Sequence, residues 1–144
     1  MGFDLENNAL GLLLSRTYFT FKKETTHLLQ PLDITPEQFG ILEQLTRYNG
    51  ISQKALAELH GKDQTSVGKT LDRLEKKELI NRTTDPNDRR AIVLQVSEKG
   101  QALYEEAKIT MEKSLEPLKE IFTEEEANQL ISSLNKIYYK LSGQ

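Results

Sequence analysis

The feature that most constrains the fold is an abrupt change in the spacing of apolar residues near position 80. Before it, Val67, Leu71 and Leu74 recur at helical spacing. After it, residues 91–96 are rich in β-formers, and Ile92, Leu94 and Val96 would lie on one face of a strand. Turn-forming residues at 85–90 separate this strand from a shorter one at 81–84. The sequence therefore predicts a helix over 64–78 followed directly by a β-hairpin with a charged tip.

Three further helices are predicted before this one. The first spans residues 5–29, and a capping box at 35–38 opens the second. Ser52 caps a short third helix with Leu59 in its buried stripe, and a glycine-bearing turn leads to the fourth. Two short helices joined in this way, the second with hydroxyls and cations on its outer face, form a helix-turn-helix candidate. A hairpin directly after it is a wing.

The chain then returns to helical spacing. Ser97 caps a long helix that Pro117 should break near its end, and a second capping box begins at Thr123. The terminal helices carry wide apolar stripes over residues 5–21 and 124–141, more than a small winged helix needs. Such stripes predict a dimer interface.

Composition excludes several classes of protein. A chain of 144 residues with 37% hydrophobic and 28% charged residues is an ordinary globular domain. It contains no cysteine, which excludes disulfides, thiolate metal sites, cysteine nucleophiles and thiol redox switches. His27 and His60 are far apart, so no metal site has support from spacing. The sequence also has no phosphate-binding loop, serine elbow or zinc helix, and we expect no enzyme activity, metal or cofactor.

The apolar stretches and the N-terminal residues indicate where in the cell the protein is expected. The longest apolar stretch, residues 10–14, is far shorter than the ~20 residues of a membrane span. Asp4 and Glu6 stand where a secretory signal requires basic residues. We therefore expect a cytoplasmic protein with no membrane partner.

The charge is unevenly distributed. The net charge is −3, yet residues 51–100 form the only net-basic third of the chain. This favours a polyanion partner there only weakly, because an uneven solvated surface has the same signature.

Residues 63–100 resemble the MarR family of bacterial winged-helix transcriptional regulators. The resemblance is most specific at Asp88-Arg89-Arg90, which matches the Asp-x-Arg wing motif of the family, and the order of elements extends it to nearly the whole chain. Glu78 stands where the family usually has Gly, and Ser97 where it usually has Thr. The first departure matters for the turn after the helix, because a left-handed backbone is costly for Glu and free for Gly.

The resemblance implies a mainly α fold with a small β-hairpin wing, namely a winged helix-turn-helix with long N- and C-terminal dimerisation helices. It implies one domain over residues 1–144, with a DNA-binding lobe at 35–97 and dimerisation helices at 1–30 and 98–144. The expected function is a sequence-specific regulator of transcription on double-stranded DNA. We expect a ligand-responsive repressor that binds an inverted-repeat operator as a homodimer.

The candidate DNA contacts lie in three places. Base readout in the major groove is assigned to Gln64, Thr65, Ser66, Lys69 and Thr70, and phosphate contact to Arg73 and Lys76. Asp72 would repel phosphate unless it pairs with Lys76, four residues later and at a suitable spacing. Ser52 and Gln53 offer donors to a phosphate, although plain helix capping is an equal alternative. In the wing, the resemblance implies that Arg90 enters the minor groove with Asp88 orienting it, while Arg89 and Arg82 approach phosphates.

The effector site is harder to place. The family often binds small aromatic or anionic molecules where the dimerisation helices meet the DNA-binding lobe. The polar aromatic residues that could face this crevice are Tyr18, His27 and Tyr104, and packing in the core or dimer interface is their alternative role. His60 should lie in the helix-turn-helix turn.

A different class of function stays open. A winged helix can also serve as a protein-interaction module without specific DNA binding. Such a module should show apolar anchors on the fourth helix, whereas this helix shows Thr65, Lys69 and Arg73.

Overall fold

The computed structural model describes residues 2–6 and 9–143, and contacts divide the chain into two units at Met111. The first unit consists of α1 (Leu10–Leu29), a 3-10 turn (Gln30–Leu32), α2 (Pro36–Arg47), α3 (Gln53–Leu59), α4 (Gln64–Lys76), β1 (Ile80–Asp85), β2 (Asp88–Val96) and most of α5 (Glu98–Ser114). The second unit contains the end of α5, α6 (Glu116–Ile121) and α7 (Glu124–Leu141). This is the predicted winged helix-turn-helix with a two-stranded wing.

The predicted helix caps are confirmed. At the start of α2, the Thr35 hydroxyl accepts a hydrogen bond from the Gln38 N–H at 3.1 Å, and the Gln38 side chain accepts one from the Thr35 N–H at 3.3 Å. Ser52 accepts from the Ala55 N–H at the start of α3. These bonds satisfy backbone donors that the first turn of a helix leaves free.

The core of the first unit is aliphatic and holds α4 in place. Val67, Leu71 and Leu74 of α4 are buried as predicted, together with residues of α1, α2, α3 and the wing. Fully buried leucines contribute about 1.5–3 kcal/mol each. This packing turns the opposite face of α4 outward, where a partner can reach it.

Two details of the helices differ from the prediction. Residues 2–6 are not helical and α1 begins at Leu10, since Phe3 and Leu5 are exposed and gain no packing that would stabilise a helix there. Leu59 is 48% exposed rather than buried, and Ala57 takes the inward position in α3. A seven-residue helix has only two turns, so small changes in its orientation decide which apolar side chain is covered.

The helix α4 ends at Lys76, two residues earlier than predicted, because the chain reverses at Glu78. Glu78 has a φ of 62°, and the Leu79 N–H donates to the Leu74 carbonyl at 3.0 Å. This is a Schellman motif, in which glycine is the usual residue at the left-handed position. Ser97 caps α5 as predicted, and its hydroxyl also donates to the Glu78 carbonyl at 2.7 Å.

The second unit is helical. The long helix expected after Ser97 is interrupted at Leu115, and Pro117 lies in the first turn of α6, where proline is tolerated. The capping box at Thr123 opens α7 as predicted. Large apolar side chains of α7 remain exposed, including Leu130, Ile131 and Leu134. Among the helices that the structure describes, none is long and apolar enough to cross a membrane.

Candidate nucleic-acid interface

The outer face of α4 is polar and cationic. Gln64, Thr65, Ser66, Lys69, Arg73 and Lys76 are all exposed. Thr70 is half-buried, and its hydroxyl makes a long contact of 3.5 Å to the Ser66 carbonyl. The structure therefore brings together the residues that the sequence assigns to the recognition helix, with Thr70 at the edge of the face.

Asp63 fixes the start of this helix. Its carboxylate accepts a hydrogen bond from the Ser66 N–H at 2.7 Å, and the Ser66 hydroxyl lies 3.4 Å from the other carboxylate oxygen. The Ser66 N–H, followed by weaker contributions, holds the pKa of Asp63 below its usual range. The cap is thus charged at neutral pH, and the first turn presents Gln64 and Thr65 on a defined backbone.

The start of α3 is only partly available to a phosphate. The Ser52 hydroxyl is used by the helix cap, and Ser52 also pairs with Val93 of β2. Gln53 packs against α4, with its amide nitrogen 3.3 Å from where a side chain on Gly68 would begin. Gln53 Oε1 is buried with no hydrogen-bond partner among the described residues.

The wing carries its cations at an exposed tip. Its strands pair from Ile80 with Val96 to Thr84 with Ile92, and the register shifts after Thr84. The Arg90 side chain is 96% exposed, and Arg89 is exposed beside it. Both are free to approach DNA.

The relation between Asp88 and Arg90 differs from the expected one. The Asp88 carboxylate accepts a hydrogen bond from the Arg90 backbone N–H at 3.0 Å, whereas the Arg90 Nε lies 3.8 Å away. Asp88 therefore stabilises the backbone at the tip more than it orients the guanidinium.

Arg82 does not lie with the other cations. Its side chain is 18% exposed, and its guanidinium binds α4: Nη1 lies 2.6 Å from Asp72 Oδ1, and Nη2 donates to the Gly68 carbonyl at 2.9 Å. In this structure Arg82 is therefore bound to α4, and its contact with phosphate stays a prediction. Asp72 does not pair with Lys76, because its carboxylate is bound by Arg82.

The three aromatic residues assigned to an effector are not brought together. Tyr104 is buried in the core, with its ring stacked on Phe39 at 5.6 Å between centroids. His27 lines a shallow depression beside Lys77. Tyr18 lines a cavity of 280 Å³ between α1, α2 and α4, and His60 of the helix-turn-helix turn lines the same cavity.

Sequence reasoning missed most of this cavity. Phe21, Lys22, Ile41 and Lys62 line it, together with Val67 and Thr70 of the recognition helix. These residues come from separate helices, so no spacing in the sequence connects them. The helical period of α1 places Tyr18, Phe21 and Lys22 on one face, which was the one available signal.

Solved structures of similar proteins share this architecture. The transcriptional repressor CouR, bound to a 23-mer DNA duplex, is 28% identical, with a TM-score of 0.83 over 96% of this chain and 99% of CouR. A mutant of MarR from E. coli in complex with operator DNA is 27% identical, with a TM-score of 0.81 over 94% and 99% of the two chains. MepR from S. aureus, in a complex with DNA, is 26% identical, with a TM-score of 0.82 over 91% and 97%.

The model of the MarR family matches residues 34–92, which contain the helix-turn-helix and most of the wing. Over these residues the chain matches the MarR family, and the solved structures extend the likeness to nearly its whole length. It is therefore a DNA-binding transcriptional regulator, and MarR-family regulators are generally not enzymes. In MarR-family terms α4 is the recognition helix and the β1–β2 hairpin is the wing. The likeness of the flanking helices rests on the solved structures, which extend beyond the matched residues at both ends.

Proposed function

We propose that this MarR-family protein is a sequence-specific repressor that binds an inverted-repeat operator as a homodimer and releases it when a small aromatic or anionic molecule binds. The observation that carries the proposal is the exposed face of α4, where hydroxyl, amide and cationic side chains surround Thr65 and Lys69. Side chains of these types read base edges in the major groove.

Within this proposal the contacts divide by chemistry. The first two turns of α4 read bases through Gln64, Thr65, Ser66, Lys69 and Thr70. Arg73, Lys76 and Arg89 bind phosphates, with Ser52 and Gln53 at the start of α3 as a secondary contact. Arg90 enters the minor groove, where a narrow groove concentrates negative potential and attracts a planar cation.

The alternative, a protein-interaction module, is less well supported. Such a module needs apolar anchors on its presented face. On α4 the large apolar residues Val67, Leu71 and Leu74 are all buried, and the side chains exposed on that helix are polar or charged. This face matches a polyanion better than it matches a hydrophobic groove.

DNA binding and base readout are tested together. The wild-type protein is first used to select an operator from random duplexes. We then measure the affinity of the protein for this operator and for random DNA over a range of salt concentrations. Lys69→Ala and Thr65→Ala should lower the ratio of the two affinities, because a good base contact contributes ~1–3 kcal/mol of specificity. Lys76→Ala should weaken binding to both DNAs alike and reduce the salt slope by about 1.8, which is about 0.9 for each subunit of the dimer. Equal losses on both DNAs for all three variants would contradict the base contacts.

The proposal divides the chain by role. Residues 35–97 form the DNA-binding lobe, and residues 1–30 and 98–144 supply the dimer contacts. Two observations, one in each unit, support this division. Leu12, Tyr18 and Phe19 are exposed on α1, and Leu130, Ile131 and Leu134 are exposed on α7. Exposed apolar stripes of this kind are typical of subunit interfaces. A two-fold dimer places two recognition helices ~34 Å apart, which requires an inverted repeat.

The cavity beside α4 is the proposed effector site. Its volume of 280 Å³ is close to the lower end of ligand pockets, about 300 Å³. Phe21, Ile41 and Val67 supply apolar walls for a ring, and Lys62 supplies a cation for an acid group. Burial, reinforced by Lys62, lowers the pKa of His60, so its imidazole is neutral at pH 7. Tyr18 keeps its expected role there, whereas His27 and Tyr104 lie elsewhere.

A ligand in this cavity touches the recognition helix directly. Val67 and Thr70 belong to α4, so binding that favours one position of α4 biases the affinity for DNA. A difference of ~1–3 kcal/mol between the two states changes DNA affinity about 5–150-fold. A DNA-release titration with phenolic and carboxylate compounds tests this part. Release that is equal for the wild type and a Val67→Phe variant, in which the cavity is filled, would place the effector elsewhere.

A further inference from the structure

We propose that Arg82 is a positioning residue for operator recognition: it fixes the recognition helix α4 to the wing strand β1 and makes no contact with DNA. The inference rests on the proposed function, since it concerns how the DNA-reading face is held. It assigns a role to a buried cation that neither the base contacts nor the wing tip uses.

The contacts of Arg82 span one helical turn of α4. Nη2 donates to the backbone carbonyl of Gly68, and Nη1 binds the carboxylate of Asp72, four residues later. Glu75 adds a more distant oxygen at 3.8 Å from Nη1. A planar guanidinium that binds two points on one helix restrains both the distance and the rotation of that helix. A single contact would restrain the distance alone.

A third element meets α4 at the same place. Gly68 has no side chain, and the amide of Gln53 from α3 occupies the space where one would begin, with its nitrogen 3.3 Å away. At this residue α3 therefore approaches α4 from one direction, while Arg82 reaches the Gly68 carbonyl from β1. The junction joins both helices of the helix-turn-helix to the wing.

The junction is adjacent to the residues that read DNA. Lys69 lies on the turn between Gly68 and Asp72 that Arg82 restrains, and Thr65 lies on the turn directly before it. Binding sites need their contacting groups held within ≈ 0.5 Å of the productive position. Loss of the restraint should therefore reduce base readout before it reduces general attraction to DNA.

A direct phosphate contact for Arg82 fits the structure less well. Two acceptors already occupy its terminal nitrogens, and little of the side chain reaches solvent. A phosphate would have to use the donors that these bonds leave, of which Nε is buried, or displace the Asp72 carboxylate and leave it unpaired beside the DNA. That arrangement would add repulsion at the interface that the contact is meant to strengthen.

The two roles predict different results in one experiment. We measure affinities for two duplexes, the operator that the wild type selects and a random sequence, at several salt concentrations. The variants are Arg82→Lys, Arg82→Met, Asp72→Asn and the double variant Arg82→Lys/Asp72→Asn. If Arg82 is a positioning residue, Arg82→Lys should lower the ratio of operator affinity to random-DNA affinity about 10-fold. Lysine keeps the charge but lacks the planar guanidinium that binds two acceptors at once. Asp72→Asn should do the same, and the double variant should lose little more, because the two residues act as one unit.

The alternatives predict changes of opposite sign in the operator affinity of Asp72→Asn. If Asp72 acts only as a negative charge facing DNA, its neutralisation should raise the affinity for both duplexes. The salt slope separates them as well: Arg82→Met should leave it unchanged under positioning, and should lower it by about 1.8, about 0.9 per subunit, if a phosphate contact is lost. Arg47→Lys and Glu43→Gln, an exposed pair on α2 at 3.6 Å, serve as matched controls and should leave both quantities unchanged.

The outcomes are distinct. Melting curves establish a temperature at which every variant is folded, and Arg82→Lys and Asp72→Asn remain informative if Arg82→Met does not fold. An unchanged ratio in Arg82→Lys and Asp72→Asn, or a reduced salt slope in Arg82→Met, overturns the inference alone. Failure of the wild type to select any sequence overturns the proposed function, and the inference with it.

Discussion

Glu78 shows how a single residue can lie in an unfavourable conformation for the sake of the fold. Its φ of 62° is in the left-handed region, where a side chain costs about 1–2 kcal/mol. The conformation lets the Leu79 N–H bond the Leu74 carbonyl and places the Glu78 carbonyl against the Ser97 hydroxyl. The backbone of this turn is thus required, and the glutamate side chain is not.

We therefore expect Glu78→Gly to stabilise the protein. Glycine relieves the left-handed strain and gives back part of that gain as chain entropy, which leaves about 0.5–1 kcal/mol in the free energy of unfolding. Urea unfolding measures the change. Glu78→Ala is the control, because it removes the carboxylate but keeps the β-carbon, and it should give no such gain. Equal stabilisation by both variants would mean that the side chain, not the backbone, is unfavourable.

At the scale of elements, the start of α5 packs unusually close to the turn after α4. A β-carbon on Gly100 would lie 2.1 Å from the Leu79 carbonyl oxygen and 2.9 Å from a methyl group of Val96. Only glycine allows α5 to begin at this point. The start of α5 therefore lies directly against the backbone of the turn that follows α4.

A pair of identical substitutions tests this packing. Gly100→Ala should lower the free energy of unfolding by about 3 kcal/mol, because the backbone must move to admit the methyl group. Gly40→Ala in α2 is the matched control, since its nearest neighbour would be the His60 ring at 3.5 Å, an ordinary contact. It should be neutral or stabilising by up to about 1 kcal/mol, because alanine favours helix. Chemical denaturation measures both, and similar losses in the two variants would refute the close approach.

At the scale of the whole molecule, exposed apolar side chains need a partner. Leu134 of α7 is 44% exposed, and the neighbouring Leu130 and Ile131 are exposed as well. We expect Leu134→Asp to convert the proposed homodimer to a monomer, since a charge buried in an apolar interface is strongly unfavourable. Sedimentation equilibrium measures the change, and operator affinity should fall with it because each half-site is then bound separately.

Leu59→Asp provides the control for this experiment. Leu59 is exposed to a similar extent, 48%, but lies on α3 in the proposed DNA-binding lobe. Its variant should remain dimeric. A dimeric Leu134→Asp protein, or a monomeric wild type at micromolar concentration, would contradict the proposed assignment of the terminal helices.

The sequence alone determined those features whose cause lies within a few residues. Thr35, Ser52, Ser97 and Thr123 were predicted to cap helices, and each does so through a backbone N–H three residues later. The apolar spacing of α4 likewise predicted its buried face, whereas in β2 Leu94 is buried and Ile92, expected on the same face, is 42% exposed. Local hydrogen bonds and periodicity act before any tertiary contact forms, so they can be read from neighbouring residues.

Only the tertiary structure decided which partners the long side chains contact. The sequence predicts that Arg82 is one more exposed cation in a basic segment. Packing of β1 beside α4 instead places its Nη1 atom 2.6 Å from Asp72 Oδ1. Tyr104 was a candidate for a ligand, but packing of α5 against α2 stacks its ring on Phe39. The cavity beside α4 is lined from several helices that are distant in sequence. The partner of each such group is set by how the elements pack together, and that arrangement has no local signature in the sequence.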